Sequence, residues 1–442
     1  MANEDNSSAA SESRITRWLR NAGALKFSAY AIAAAFTTYF CMYAFRKPFA
    51  AGEFSGTVDL VFLPPLELKI LFVTSQVIGY CTSKFAGIKV ISEMNAARRA
   101  VALVVCISVA ELALVGFAVV PPPYNAICLV FNGLPLGMVW GLVFGFLEGR
   151  RVSEGLGAGL SASYIVASGA VKTVGRKVMD AGISEYWMPV VVGLMFLPLF
   201  LVCVYLLSRM PPPSKEDERL RVKRAPMDGK ARVAFVKSYF PGLFMLTFLY
   251  IFLTAYRDFR DNFAVQIWAA LGYKDTPSIM TTAEIPIAVG VLVVLALLMG
   301  IKNNRKALLA VHGIMAAGPI LIGLSTIAYQ MEILPPAAWM ILVGLGLYVA
   351  YVPYGCVLFD RMIAAVGVVG TAGFLIYVTD AFGYLGSVLL MMYKNFGKPD
   401  LSWLDFFIGF SYVTSILCTG CFAGSTLYYS RQSKRDANPA EA

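Results

Sequence analysis

The sequence has few of the residues that carry most enzyme and metal chemistry. One of its 442 residues is histidine, His312, and it falls within an apolar stretch. A metal site needs several nitrogen, sulfur or oxygen ligands brought together, and no second histidine or cysteine pair accompanies this one. The chain also lacks the Gly-Lys-Ser/Thr phosphate-binding loop of nucleotide hydrolases. We therefore expect no metal, no cofactor and no enzymatic activity.

Charge is scarce as well. Asp, Glu, Lys and Arg make up 14% of the chain, whereas a typical soluble protein has about 25%. Hydrophobic residues make up 58%. Apolar runs of roughly 20 residues, the length that crosses a bilayer as a helix, recur throughout the chain. The short alternating segments of an outer-membrane barrel are not seen. The composition predicts an all-α polytopic membrane protein in contact with the lipid bilayer.

The eight cysteines give no sign of disulfide or redox chemistry. Nearly all of them fall within apolar stretches, where cysteine packs as a small hydrophobic residue. Cys418 and Cys421 form a CxxC motif, but it lies in an apolar stretch and has no partner pair. Residues 1–13 are acidic and serine-rich, unlike the basic start and apolar core of a signal peptide.

Hydropathy predicts twelve transmembrane helices. Their approximate bounds are 26–45, 66–86, 99–120, 126–147, 156–177, 187–208, 240–257, 281–301, 307–328, 337–357, 367–392 and 404–429. The longest hydrophilic interruption, 209–238, is rich in Lys and Arg and separates two sets of six helices. Basic loops stay in the cytoplasm, so both termini are expected there too. Such loops account for the net charge of +10 without a nucleic-acid partner.

Short matches indicate that the two halves are an internal repeat. GIK occurs at 87–89 and again at 300–302, after the second and eighth spans. Glu148 and Asp360, at the ends of the fourth and tenth spans, lie 212 residues apart, and an arginine follows each closely. Such repeats are typical of secondary transporters, which bind substrate at the repeat interface. The predicted organisation is a tail, a bundle, a linker, a second bundle and a tail, at 1–25, 26–208, 209–238, 239–430 and 431–442.

Two arginines occupy matching places in the repeat. Arg46 ends the first span, and Arg257 ends the seventh, 211 residues later. An arginine at membrane depth is costly and usually faces a polar cavity or a ligand pathway. Tyr39, Tyr43 and Arg46 share one helix face by their spacing, and an arginine can hold a carboxylate or phosphate with a planar pair of donors. On the first helix alone, snorkelling of Arg46 to the interface explains the pattern equally well. The matching Arg257 favours an anion site.

Other basic residues lie near the same depth. In YRDFRDNF, Arg260 follows Arg257 by three residues, so either arginine could face the cavity, and the repeat offset favours Arg257. Lys84 and Lys172 are candidates to line an anion pathway. Snorkelling to the interface explains either lysine too, and is the favoured interpretation for Lys172.

Acidic residues recur at membrane depth in both halves. Glu284 and Asp380 are candidates for ion pairs with the arginines or for a proton-carrying role. Glu148 and Asp360 are expected to form salt bridges that gate the cytoplasmic side, with helix capping as the alternative.

Seven short motifs fall in order at the corresponding spans. They are YFCMYAFRKPFA at 39–50, YCTSKF at 80–85, GMVW at 137–140, AYRDF at 255–259, EIP at 284–286, GTAGF at 370–374 and FGYLGS at 382–387. Taken with the two repeated halves, this ordered set resembles the major facilitator superfamily. It is most similar to the organophosphate:phosphate antiporter family, of the glycerol-3-phosphate transporter type.

The resemblance implies a fold and a site. The fold would be two pseudo-symmetric six-helix bundles, and the substrate phosphate would be held by Arg46 and Arg257. Lys84, Tyr39 and Tyr43 would take the places of the family's lysine and span-one tyrosines. The family's histidine on span five has no counterpart here.

We predict a monomeric secondary transporter of the cell (inner) membrane that moves a small organic anion by alternating access. A phosphorylated metabolite, carried by an antiporter, is one form of this prediction. Two alternatives stay open. One is a flippase-like transporter of lipids or lipid headgroups, in which the same arginines meet a headgroup phosphate. The other is a membrane sensor that binds a ligand on the same fold without moving it.

Overall fold

The computed structural model describes most of the chain. The described residues are 13–60, 63–92, 94, 96–150, 152–214, 217, 234, 236–366 and 372–435. The predicted tails, 1–25 and 431–442, are described in part. Most of the predicted linker, 209–238, lies outside the described residues.

A long helix lies at each of the twelve predicted spans. The first half contains a short helix and six long ones: α1 (Arg14–Asn21), α2 (Ala24–Tyr43), α3 (Leu68–Ser92), α4 (Ala96–Val119), α5 (Ala126–Leu147), α6 (Ser153–Asp180) and α7 (Met188–Ser208). The second half contains α8 (Phe240–Asn262), α9 (Ala264–Ala270), α10 (Ile279–Thr282), α11 (Glu284–Met299), α12 (Asn304–Gln330), α13 (Pro336–Pro353), α14 (Phe359–Val366), α15 (Ala372–Met392) and α16 (Trp403–Arg435). π-Helical turns at Tyr354–Leu358 and Tyr393–Gly397 join α13 to α14 and extend α15.

Within the described residues, nine helical segments are long and apolar enough to cross a membrane. The predicted spans α2, α3 and α6 are not among these nine. In α6 the reason is its interior position, because it buries Ser161, Ser168 and Lys172 among small residues. A helix that lines the inside of a bundle needs less hydrophobicity than one that faces lipid on most sides.

Small residues let α3 and α5 approach closely. A Cβ on Gly79 would collide with the carbonyl oxygen of Val130, and one on Gly133 would collide with that of Gln76. Because glycine has no side chain, helix backbones can come into contact at such crossings, as is common in membrane bundles. The first half is therefore packed tightly where α3 and α5, two helices that line the interior, cross.

The two halves meet along two sets of helices. α3 packs against α15, and α6 packs against α10 and α11. A Cβ on Gly169 would collide with the carbonyl oxygen of Met280, so only glycine permits this approach. The hydroxyl of Thr173 donates to the carbonyl of Pro277 at 2.9 Å. Between these contacts lies an interior lined by both halves.

A short β-hairpin follows α2 and lies mostly between the first two predicted spans, 26–45 and 66–86. Strands β1 (Thr57–Leu60) and β2 (Leu63–Glu67) pair antiparallel, with Thr57 opposite Glu67. β2 contacts the π-helical turn that extends α15. We call this the hairpin end of the molecule, and the opposite end, where α2 begins and α16 finishes, the terminal end.

α1 lies at the terminal end, within the predicted N-terminal tail. The hydroxyl of Thr16 donates to the carbonyl of Arg209, just beyond α7, at 2.9 Å. Leu19 is buried while Trp18 is exposed. The helix is therefore attached to the first bundle along one face.

Candidate functional site

Arg46 and Arg257, from the two halves, converge on one tyrosine ring. The guanidinium carbon of Arg46 lies 5.7 Å from the centroid of the Tyr384 ring, and that of Arg257 lies 5.3 Å from it. Arg257 also donates hydrogen bonds to the hydroxyl of Tyr384, at 2.8 Å, and to the hydroxyl of Tyr351. The guanidinium of Arg46 lies 3.7 Å from the centroid of the Tyr80 ring. Matching positions in the repeat thus bring two cations to one place between the halves.

Buried amides fix the backbone that carries Arg46. α2 ends at Tyr43, and the chain turns before Pro48, which cannot continue a helix. The carbonyl of Arg46 accepts from the Gln76 side chain at 2.8 Å. The carbonyl of Phe45 accepts from Asn132 at 3.0 Å. Carbonyls at a helix end need partners when water is excluded. These bonds therefore hold Arg46 in place.

The two arginines differ in their counter-ions. Arg257 pairs with the neighbouring Asp258 at 2.9 Å, and this carboxylate is only 2% exposed. The second carboxylate oxygen of Asp258 has no hydrogen-bond partner among the residues that the structure describes. Arg46 is equally buried, forms no ion pair with a described residue, and its Nε lacks a hydrogen-bond partner. Its guanidinium lies near the rings of Tyr43, Tyr80 and Tyr384, and this cation has no carboxylate in direct contact among the described residues.

A small cavity of about 40 Å³ lies between the halves beside these arginines. Aromatic residues form most of its wall, together with three charged side chains. Its lining residues are Tyr39, Tyr43, Tyr80, Lys84, Trp140, Tyr164, Tyr250, Arg257, Tyr351, Gly355, Ile376, Asp380 and Tyr384. Arg46 is not among them, because the ring of Tyr80 covers its guanidinium. Trp140 stacks on Phe144 with the two ring centroids 4.8 Å apart.

Lys84 and Asp380 form an ion pair across the halves. Lys84 Nζ lies 2.9 Å from a carboxylate oxygen of Asp380, and the lysine side chain is 2% exposed. The hydroxyl of Tyr250 donates to the other carboxylate oxygen. Both partners line the cavity, so this pair adds a cation and an anion to the same site.

A second charged cluster closes the hairpin end. Lys47 Nζ lies 2.6 Å from one oxygen of Asp261, and Lys172 Nζ lies 2.8 Å from the other. Ser168 donates to the same carboxylate, and Lys47 also donates to Asn262 at 2.7 Å. The sequence favours snorkelling of Lys172 to the interface, and the structure shows that this prediction is wrong. Lys172 is 2% exposed and bound to the opposite half, because its partner carboxylate lies on a helix from the other side of the repeat.

Arg260 lies apart from the cavity that Arg257 lines. Its Nη1 is 2.7 Å from a carboxylate oxygen of Glu284, and its Nη2 donates to the carbonyl of Met340 at 3.1 Å. Arg260 and Glu284 instead line a smaller space of about 10 Å³ that also borders Asp261. The structure thus places Arg260 and Glu284, which we consider as possible coupling or gating residues, beside the hairpin-end cluster.

An ion pair also joins the halves at the terminal end. Arg361 Nη2 lies 3.0 Å from a carboxylate oxygen of Glu154, and Nη1 donates to Asn304 at 2.7 Å. The predicted gating residues lie at the same end: Glu148 follows α5 and Asp360 lies in the first turn of α14, both half-buried. Arg361 directly follows Asp360, and Glu154 lies six residues after Glu148.

His312 and the cysteines lie outside these clusters. The imidazole of His312 is buried between the carbonyl of Leu308 at 2.9 Å and the hydroxyl of Ser425 at 3.1 Å. All eight cysteines are free. Among the described residues no group of three or more His, Cys, Asp or Glu side chains could hold a metal ion.

Several residues of the site are absent from the sequence prediction. They are Tyr80, Tyr250, Tyr351, Tyr384 and Asp258. A spacing signal exists for two of them, because Tyr80 precedes Lys84, and Tyr384 follows Asp380, by one helical turn. Each tyrosine is thus placed on the face of a charge that we did predict. Asp258 lies within RDFRD, next to Arg257. The sequence does not show that the two pair, because pairing depends on their side-chain conformations.

Comparisons with known proteins bear on the family and the fold. A protein-family model described as "Family of unknown function (DUF5690)" matches residues 48–432. No curated protein matches the chain in sequence. Among solved structures, the crystal structure of a D-xylose-proton symporter is similar, with a TM-score of 0.55 and 14% identity. The match covers 90% of this chain and 96% of that one. The predicted all-α polytopic membrane architecture, with the major facilitator fold, is confirmed.

Proposed function

Since the chain belongs to the DUF5690 family, whose function is unknown, its activity has to be inferred from the site. We propose that it is a secondary transporter of a small organic anion, and not an enzyme. In this proposal the anion binds between the halves, near Arg46 and Arg257. The observation that carries the proposal is the convergence of these two buried cations, one from each half, on the ring of Tyr384.

Buried cations of this kind favour an anion over a neutral solute. A guanidinium in a low-dielectric interior is costly unless it is paired, and Arg46 forms no ion pair with a described residue while its guanidinium lies against the Tyr80 ring. An anion that enters the cavity can displace the Tyr80 ring and accept hydrogen bonds from both arginines. Tyrosine hydroxyls along the wall can donate to the same anion.

The ion pairs at both ends support alternating access. Asp261 binds the first half at the hairpin end, and Arg361 binds it at the terminal end. The cavity of about 40 Å³ is far smaller than the ~300 Å³ or more of typical ligand sites. The halves must therefore part at one end to admit a solute. In the proposed cycle, one set of ion pairs breaks while the other holds.

We include three finer assignments in the proposal. Two bundles, 26–208 and 239–430, move as units of a monomer. The terminal end faces the cytoplasm of the cell (inner) membrane, because the basic segments lie there. A phosphorylated metabolite exchanged by antiport, as the motif resemblance suggests, is one substrate class to be tested.

The test is uptake into proteoliposomes with a panel of radiolabelled carboxylated and phosphorylated metabolites, with and without phosphate inside. Arg46→Lys and Arg257→Lys keep the charge but lose the planar pair of donors. We expect each to lower uptake of the transported anion by at least about tenfold, since each hydrogen bond to a charged group contributes roughly 1.5–3 kcal/mol.

Arg98→Lys is the matched control, because Arg98 is exposed at the start of α4. It should transport like the wild type. Wild-type uptake by both site variants, at equal protein amounts in the vesicles, would refute the role of the arginines. Uptake of neutral solutes alone would refute the anion specificity.

A further inference from the structure

The charges around the cavity restrict the charge of the solute. We infer that the central site takes an anion with one negative charge, such as a monocarboxylate, in preference to a dianion such as a phosphate monoester at neutral pH. This inference rests on the proposed function and narrows its substrate class.

The arginine pair carries one net positive charge. Arg46 and Arg257 are two cations, and Asp258 is the anion beside them, paired to Arg257 at 2.9 Å. Asp258 also acts electrostatically on Arg46, without a direct ion pair between these two residues. With two cations and one buried carboxylate, one positive charge is left to be balanced.

The other charged pair at the cavity balances itself. Lys84 and Asp380 are 2.9 Å apart, and the Tyr250 hydroxyl completes the shell of the carboxylate. Lys47 and Lys172 share Asp261 at the hairpin end, and neither lysine lines the cavity. Two lysines and one carboxylate leave the hairpin-end cluster with one positive charge of its own. The ammonium groups that carry it are directed at Asp261 and do not line the cavity, so the arginine pair supplies the uncompensated charge nearest to the solute.

Closure of the halves then selects the charge. When the site closes over a solute, water leaves and any net charge is buried at high cost. A monoanion makes the loaded site neutral. A dianion leaves one negative charge in excess. A phosphate monoester has its second pKa near 6 and carries about −1.5 to −2 charges at pH 7, so it fits the closed site only after taking up a proton.

The experiment uses two matched series of solutes on the purified full-length protein in detergent. The three-carbon series is glycerol, glycerate and glycerol 3-phosphate. The hexose series is glucose, glucuronate and glucose 6-phosphate. Within each series the backbone is similar and the charge steps from none to two. Binding is measured by thermal stabilisation and by calorimetric titration. We expect the monoanion to bind tightest within each series that binds.

A pH series on the wild type tests the same point without any substitution. Between pH 7 and pH 5 the monoanionic fraction of a phosphate monoester rises from about one tenth to about nine tenths. Binding of the sugar phosphate or glycerol 3-phosphate should tighten by roughly that ratio. The carboxylates, which are singly charged throughout, report any change in the protein itself.

Asp258→Asn tests the reverse case. It removes the carboxylate beside the arginines and so raises the net charge of the site from one positive charge to two. We expect the preference between monoanion and dianion at pH 7 to move toward the dianion by at least about tenfold. Asp405→Asn makes the same change at an exposed carboxylate that bonds to Ser402 and should leave the preference unchanged.

The outcomes separate the two proposals. Tighter binding of the dianions by the wild type at pH 7, or phosphate binding that does not strengthen on acidification, would overturn the charge inference and leave the anion transporter standing. Binding of the neutral members alone, or of no member of either series, would overturn both.

Discussion

The hairpin end and the terminal end are both closed by ion pairs between the halves, but they are closed differently. At the hairpin end one carboxylate, Asp261, receives two lysines and a serine hydroxyl, and both lysines are 2% exposed. At the terminal end Arg361 meets Glu154, and these side chains are 12% and 31% exposed. The two cations at the hairpin end are thus drier than either partner at the terminal end, while the carboxylate that they share is 16% exposed.

The difference indicates which end opens with less free energy. A partly exposed pair contributes at most about 1 kcal/mol because water and salt screen it. Separating a buried charge cluster costs several kcal/mol unless water replaces each partner. From this structure we therefore expect the terminal end to open first, with the hairpin-end cluster still intact.

The largest effect should come from Asp261→Asn, which leaves Lys47 and Lys172 buried without a counter-ion. Breaking a buried pair in this way costs about 3–5 kcal/mol. The hairpin-end open state, in which both lysines are hydrated, should gain in population by about a hundredfold or more. Spin labels at Ile183→Cys and Ile333→Cys, exposed on opposite halves at this end, report the separation.

The same substitution should leave the terminal end closed. Labels at Leu25→Cys and Lys302→Cys, both exposed there, serve as the reference pair. If the two labels at the terminal end separate and those at the hairpin end do not, the hairpin end is not the more strongly closed one, and our assignment is wrong.

A smaller effect is expected for Lys47→Met. The ammonium group is removed together with its bonds to Asp261 and Asn262. Asp261 keeps Lys172 as its partner and no buried cation is left without a counter-ion, so we expect a loss of about 1.5–3 kcal/mol. The hairpin-end distance distribution should broaden without a complete shift. Lys172→Met should act similarly, and the double variant should approach Asp261→Asn. Simple additivity of the two single variants would show that the lysines do not share the carboxylate.

The smallest effect should come from Arg361→Gln at the terminal end. Loss of this partly exposed pair should change the population open at that end by no more than about fivefold, which corresponds to about 1 kcal/mol. Added salt should reduce the difference between variant and wild type, since exposed pairs are screened. A change as large as that of Asp261→Asn would contradict the comparison.

Sequence patterns predict the scaffold more readily than the pairing. Each long helix coincides with a predicted span because hydropathy depends on local composition, and the repeat offset directs attention to Arg46 and Arg257. The partner of Lys172 could not be found that way, because Asp261 lies 89 residues further along the chain. Nothing local to the lysine distinguishes a buried ion pair from snorkelling.

The same limit applies at the terminal end. Glu148 and Asp360 stay predicted gating residues because they repeat, and the structure adds an ion pair between the halves that the repeat does not indicate, Arg361 with Glu154. Helix rotation by a single residue decides which side chain faces the partner. A periodic pattern does not fix that rotation to better than a residue or two.

Trp140 gives the molecule an internal optical probe. Its indole lines the space between the halves and stacks on Phe144, in surroundings that become wetter when either end opens. Indole emission shifts to longer wavelength in a more polar environment. A variant that keeps only this tryptophan would therefore report opening and solute entry as a shift in its fluorescence emission wavelength, in real time and without an attached dye.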